Sequence, residues 1–282
     1  MTDPLNAFEQ MLLESARQFE CQSSERPDPA TTSIIVLDLE FLYDRDSYAG
    51  YAISEGTTAC KDIRWPFHRV AAACWLAATF TAGSDVPEIS GPIVLSLDAI
   101  DERTLLQKLF DTLDANSSAV LVTWGGEARD LAVLRHRAEI HDLVLPLQLR
   151  NGSPHAPQRL DLCRATCVQA IPVHLGEYAA SSSIPAKPIP ARQIGALAEK
   201  GEWGKVREQV CADVLTTSVI ALRYLSVRDI IRCDRDKAQA AIAEAAASGI
   251  PHSKFVNRDF IPWAAGQAIK AQTRSAVEQP VH

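Results

Sequence analysis

Residues 34–42 read IIVLDLEFL, and the reading of this stretch decides the fold. Ile34, Ile35, Val36, Leu37 and Leu39 make both faces of an extended chain apolar, the pattern of a strand buried in the middle of a sheet. Side chains two apart in a strand share a face, so Asp38 and Glu40 point the same way. A carboxylate in such surroundings costs roughly several kcal/mol unless something neutralises it, and two on one face repel each other as well. Arg45 is the nearest basic residue, too far along the chain to relieve both. A divalent cation with oxygen ligands would relieve them, and adjacent Asp and Glu suit Mg²⁺ or Mn²⁺. The alternative is a strand that ends at Leu37 with both acids at its solvated tip; the peptide alone leaves the two open.

A metal site needs further carboxylates, and two occur in matching contexts. Asp130 lies in VLVTWGGEARDLAVL (120–134), after a buried-strand pattern and a Gly-Gly turn, on the first turns of a helix. Asp213 lies in REQVCADVLTTSVIALRY (207–224), where Val214, Thr217 and Ile220 put it on or beside the core-facing side of a helix. Singly, each reads as a helix-surface acid. Together, a strand Asp-x-Glu, a strand–turn–helix Asp and a late-helix Asp form a specific order.

Around these peptides the pattern predicts an α/β protein, a mixed sheet of about five strands flanked by helices. YAGYAIS (48–54) and HRVAAACWLAATF (68–80) read as strands, and ERTLLQKLFDTLD (102–114) as a helix. LVLPLQLRNGSPHAPQR (143–159) reads as an irregular surface segment. LDLCRATCVQA and HLGEYAASS read as short helices, with LDL able to begin as a strand, and 205–225 as a long helix. Three prolines make 184–192 a loop. The expected division is a helix with Asp3 as N-cap plus a linker (1–32), a main domain (33–225), and an extension (226–282). That extension holds an Ala-rich helix, an aromatic patch of Phe255, Phe260 and Trp263, and a polar tail.

These motifs resemble the 3′–5′ exonuclease domains of the ribonuclease H-like, DEDD type. The similarity is greatest to the stand-alone predicted exonucleases related to the proofreading domain of family-B DNA polymerases, and it spans roughly residues 33–225. RLDLCRAT and HLGEYAASSSIPAK resemble that family's Leu-Asp-Leu and Ile-Pro-x-Lys elements. The resemblance implies a ribonuclease H-like fold and two Mg²⁺ or Mn²⁺ ions held by Asp38, Glu40, Asp130 and Asp213. It also implies hydrolysis at 3′ ends of single-stranded nucleic acid, DNA favoured. Relatives place a Tyr four residues before the last Asp, or a His five before it, to orient the attacking water; here Gln209 and Glu208 stand there. Gln209 is one helical turn from Asp213 and can hydrogen-bond a water, but it has no phenolic proton. Gly125 and Arg129 replace the relatives' Asn and Phe in the second motif.

For strand binding, Leu39, Phe41 and Trp124 are candidates to stack on terminal bases, with core packing as the alternative for Leu39 and Trp124. Arg129 is a candidate to track phosphates, with a merely solvated arginine as its alternative. The changes at Gln209, Gly125 and Arg129 leave a second function class open, a catalytically impaired nuclease fold that binds nucleic acid or a partner protein. A structural interaction protein whose acids hold no ion is a third.

Composition narrows the field. At 282 residues, with 47% hydrophobic and 22% charged side chains, the chain has the profile of an ordinary globular domain. Lys plus Arg is 28 against 35 for Asp plus Glu, net −7, which excludes a broadly basic nucleic-acid coat but not a local groove. No run approaches the length of a membrane span, and the start lacks the basic region of a secretory signal. The 7 cysteines include no CxxC pair; Cys163 and Cys167 read as small packed residues. The expectation is a cytoplasmic protein without a disulfide framework.

Overall fold

The computed structural model describes residues 31–167, 169–186 and 191–278. The expected N-terminal helix and most of its linker lie outside the described residues, as do the last residues of the tail. The sheet comprises β1 (Thr31–Tyr43), β2 (His68–Thr81), β3 (Glu88–Ser96), β4 (Val120–Thr123) and β5 (Arg159–Asp161). Its spatial order is β3-β2-β1-β4-β5. β2 runs antiparallel to both β1 and β3, while β4 joins β1 and β5 joins β4 in parallel. This is the mixed, helix-flanked five-stranded sheet expected for a ribonuclease H-like fold.

β1 is central, and its alternation splits the core into two apolar layers. Ile34 and Val36, with Ala72, Cys74 and Leu76 of β2, face the long helix of residues Trp203–Ser226. Ile35, Leu37, Leu39 and Phe41, with Val70, Ala73 and Trp75, face the helices Glu102–Ala115 and Asp130–Ile140. In chain order the helices are α1 (Arg45–Glu55), α2 (Glu102–Ala115), α3 (Asp130–Ile140), α4 (Leu147–Arg150) and α5 (Leu162–Cys167). They continue with α6 (Leu175–Ser181), α7 (Ala191–Glu199), α8 (Trp203–Ser226), α9 (Arg235–Gly249) and α10 (Ile261–Glu278).

Four expectations are corrected. Residues 48–54, read as a strand from their aromatic and β-branched content, lie in α1, which Asp44 caps by accepting from the Ser47 amide at 3.0 Å. α1 buries none of its residues, so no sheet face selects an extended form there. The third antiparallel strand is instead β3, whose Gly91-Pro92 interruption masks its alternation. The 143–159 segment is not merely surface: α4 buries Gln148 and Leu149, and the Gln148 amide donates to the carbonyls of Leu113, Asn116 and Ala119. Finally, α10 forms where a polar tail was expected.

The extension after residue 225 packs on the main domain. Ala238, Ile242 and Ala246 of α9, with Phe255, Val256 and Phe260, belong to the same apolar layer as α8. Glu208 helps to fix this extension by accepting from the amides of Lys254 (2.8 Å) and Phe255 (3.1 Å) and the Ser253 hydroxyl (3.1 Å). α9 also packs along β3, where Gly249 lies so close to Pro92 that an added Cβ would stand 3.1 Å from its carbonyl.

One buried ionic knot ties the second layer together. The Glu102 side chain, 1% exposed, accepts from the Val70 amide (2.7 Å), Arg137 Nε (2.9 Å) and His141 Nε2 (3.2 Å), joining α2, β2 and α3. Burial pushes this carboxyl up, but the hydrogen bonds from Arg137, Val70 and His141 and the Arg137 charge outweigh it and hold it below the usual glutamate value. Its stabilisation is therefore complete above that usual value and is lost as pH falls through the folded one. Glu102→Ala strands Arg137 in the core and is expected to cost about 3–5 kcal/mol in urea denaturation at neutral pH. The difference from wild type should shrink below about pH 4; a loss under about 1 kcal/mol would contradict the knot's role.

Candidate metal centre

β1 carries Asp38 opposite Cys74 of β2 and Glu40 opposite Ala72, and a register shift follows Glu40. Both acids therefore lie on the α8 side of the sheet, as alternation requires. Asp213 meets them from α8, placed by its wholly buried neighbours Ala212 and Val214. One carboxylate oxygen from each of Asp38, Glu40 and Asp213 lies within 4.8 Å of the others. Glu40 is 6% exposed, and Asp38 and Asp213 are half-buried. The solvated-tip alternative for the β1 acids is thus not the arrangement found, because β1 runs on to Tyr43.

Asp130 is the first residue of α3 and is buried. Its oxygen is not among the three close ones, but its charge acts on both Asp38 and Glu40. Burial, then repulsion from Asp213, Glu40 and Asp130, pushes Asp38 well up, while Arg129 pulls the other way. Burial and the charges of Asp213 and Asp130 likewise push Glu40 up against the pull of Arg129. Asp130 is pushed up to about 6, mainly by burial, against the charge and hydrogen bond of Arg129 and with a small contribution from Asp161. Converging oxygen donors held on a strand and a helix, with Asp38 and Glu40 resisting ionisation, fit a hard divalent cation.

The remaining sequence-predicted residues separate. Gln209 is 4% exposed, and its Nε2 donates to Asp213 Oδ2 at 2.6 Å, while its buried Oε1 has no hydrogen-bond partner among the described residues. Glu208 is engaged by the 253–255 segment. Arg129 Nε lies 3.3 Å from Asp130 Oδ1, and its guanidinium stands 4.8 Å from the centroid of the Phe41 ring. Phe41 itself is buried, with the His68 ring 5.6 Å away. Trp124 is half-buried, donates from Nε1 to the Val173 carbonyl (3.2 Å) and packs on Tyr178. Leu39, 2% exposed, lies in the layer beneath the opposite sheet face, with no surface to offer a base.

Sequence reading missed the device that sets the turn before Asp130. Asp161, at the end of β5, accepts from the amides of Gly125 (2.8 Å) and Glu127 (3.2 Å), as well as Cys163 (3.0 Å) and Arg164 (3.4 Å). The Glu127 carboxylate is gripped in turn by Arg159 Nε at 2.6 Å. Gly125 adopts φ +76°, and a Cβ on Gly126 would meet Thr123 Oγ1 at 2.7 Å, so the two glycines serve different needs. An Asp preceding a helix is a visible N-cap signal. Its service to a turn 36 residues away is not visible in the sequence.

Residues 62–255 match the family described as predicted 3′–5′ exonuclease related to the exonuclease domain of PolB. The match takes in well over half of the chain, which therefore belongs to this family. Asp130 and Asp213 fall inside the matched range, whereas Asp38 and Glu40 precede it. A comparison with curated proteins yields no match. Among solved structures, the family B DNA polymerase from the hyperthermophilic archaeon Pyrobaculum calidifontis is similar, with a TM-score of 0.43 and 14% identity. The alignment covers 84% of this chain and 29% of that one, so the chain spans less than a third of the polymerase.

A carboxylate with a raised folded value destabilises the protein once it must ionise. The cost is absent below its ordinary value near 4 and grows until the pH passes the folded value. In chelator, the melting temperature is therefore expected to fall between about pH 4 and pH 7. Asp130→Asn should become more stable than wild type above about pH 6, by up to about 3 kcal/mol. Superimposable pH profiles would contradict this. Asp161→Ala, by freeing the part-buried amides of Gly125 and Glu127 along with those of Cys163 and Arg164, is expected to cost about 2–4 kcal/mol and to speed hydrogen exchange at residues 125–127. Unchanged exchange there would remove Asp161 from that role.

Proposed function

We propose that this protein is a divalent-metal-dependent 3′–5′ exonuclease that hydrolyses phosphodiester bonds at the 3′ ends of single-stranded nucleic acid. The convergence of Asp38, Glu40 and Asp213 from a central strand and a long helix, with Asp130 alongside, carries this reading. DNA is the favoured substrate, in keeping with the family's relation to a polymerase exonuclease domain.

On this reading Asp38, Glu40, Asp213 and Asp130 hold two Mg²⁺ or Mn²⁺ ions. Such ions, when bound, lower the pKa of water and stabilise negative charge on a departing 3′ oxygen. The chain supplies the positioning. Gln209 fixes the Asp213 carboxylate through Nε2. Arg129, with a side chain 44% exposed, has donors to spare for a substrate phosphate, and Phe41 supports its guanidinium from below. Trp124, half-buried, is the candidate to contact a base.

The described cysteines are free thiols, in keeping with a reducing cytoplasm. Among the described residues no helix is long and apolar enough to cross a membrane.

A second reading, an impaired nuclease fold that binds nucleic acid without cutting it, is favoured by Gln209, which cannot give the phenolic proton of relatives. End-labelled single-stranded DNA and RNA, incubated with and without Mn²⁺, distinguish the two. The exonuclease yields a ladder from the 3′ end that chelator abolishes. Asp38→Ala and Asp213→Ala lower its rate by about a thousandfold, about 4 kcal/mol of barrier, without unfolding the protein. Binding without any ladder would support the impaired fold, and wild-type cleavage by Asp38→Ala would overturn the carboxylate assignment.

A further inference from the structure

A cluster of buried acids needs positive charge whether or not cations are present, and among the described residues Arg129 stands where it can provide it. Arg129 stands in a sharply non-helical conformation, φ −148° and ψ −53°, between the turn held by Asp161 and the start of α3. This places its guanidinium against the Asp130 carboxylate, 3.3 Å away, and over the Phe41 ring at 4.8 Å. Phe41 follows Glu40 on β1, so the ring on which the guanidinium rests belongs to the strand that carries both acids. Its positive charge reaches Asp38 and Glu40 as well as Asp130. The ring contact holds the head group at the rim without using its hydrogen-bond donors. The side chain remains 44% exposed, which leaves it room to swing away.

From this arrangement we infer that Arg129 is a resident counter-ion of the acid cluster, which an incoming divalent cation must displace. Resting on the carboxylate-centre reading above, the inference adds that the arginine sets the cation concentration at which the centre fills. Its sign is unusual. Damage to a metal site weakens binding, whereas removal of a competing charge strengthens it. The guanidinium and the cation compete for the same negative field, so neutralising position 129 should tighten cation binding by about five- to tenfold at low ionic strength. Added salt should shrink the gap, because screening weakens the competition of a partly exposed charge.

The test is calorimetric titration of the full chain with Mn²⁺ alone, in dilute buffer and again at high salt. Wild type is compared with Arg129→Ala, Arg129→Gln and Arg129→Lys. The Ala and Gln variants are expected to bind Mn²⁺ about five- to tenfold more tightly than wild type, with a smaller gap at high salt. Lys, which keeps the charge, should stay within about threefold of wild type. Melting temperatures supply a second readout: in chelator the Ala variant should melt below wild type, and saturating Mn²⁺ should close the difference. Equal or weaker Mn²⁺ binding by both neutral variants overturns the counter-ion. So does a Lys variant that binds as tightly as Ala, which would assign the effect to bulk instead of charge. If wild type takes up no Mn²⁺ at all, the carboxylate centre itself is wrong. That outcome is distinct from a centre that binds normally but ignores position 129.

Discussion

Negative charge gathered inside a hydrophobic sandwich is the constraint around which this molecule is arranged. Asp38, Glu40 and Asp213 come from two elements distant in sequence, and the charge of Asp213 makes ionisation of both Asp38 and Glu40 harder. Such an assembly relaxes by separating unless its supports are rigid. The supports are a strand paired on both sides and a helix buried along most of its length. Central placement of β1 therefore has an electrostatic purpose as well as a packing one: a strand with neighbours on both sides cannot slide its acids apart.

Among the described residues, partners of different physical character restrain the carboxylates. The Gln209 amide fixes one oxygen of Asp213 with a neutral donor. Arg129 supplies full charge to Asp130 while resting on an aromatic face. Asp161 touches none of the clustered acids by hydrogen bond; it collects peptide N–H dipoles and so sets the turn from which Asp130 departs. A neutral amide, a mobile cation and fixed backbone dipoles respond differently to a change in local charge. The arginine is the one free to change place, because its head group is partly solvated.

Much of this was legible in the residues. The apolar run on both faces of β1 implied a central strand, and the Asp-x-Glu spacing put both acids on one face. Asp213 was visible through its core-facing neighbours, and the folded chain brings it to the β1 acids. Where the reading went astray, local propensity misled it. Residues 48–54 have a strand-like composition, but with no sheet face to cover them they coil into α1. β3 was hidden by its glycine and proline. The roles of Asp161, Glu127 and Arg159 were invisible because their contacts join segments some thirty or more residues apart, which no local pattern encodes. Leu39 shows the same limit from the other side: alternation that aims its neighbours at the site aims it into the core.

The sheet's two margins have one more consequence. β5 ends the sheet on one side with only 3 residues, and β3 on the other carries Pro92, lacks a donor there, and lies under α9 near Gly249. Neither rim presents a long row of unpaired backbone groups to a visiting chain. Self-association by strand addition, the usual hazard of an open sheet, is thereby discouraged along these edges.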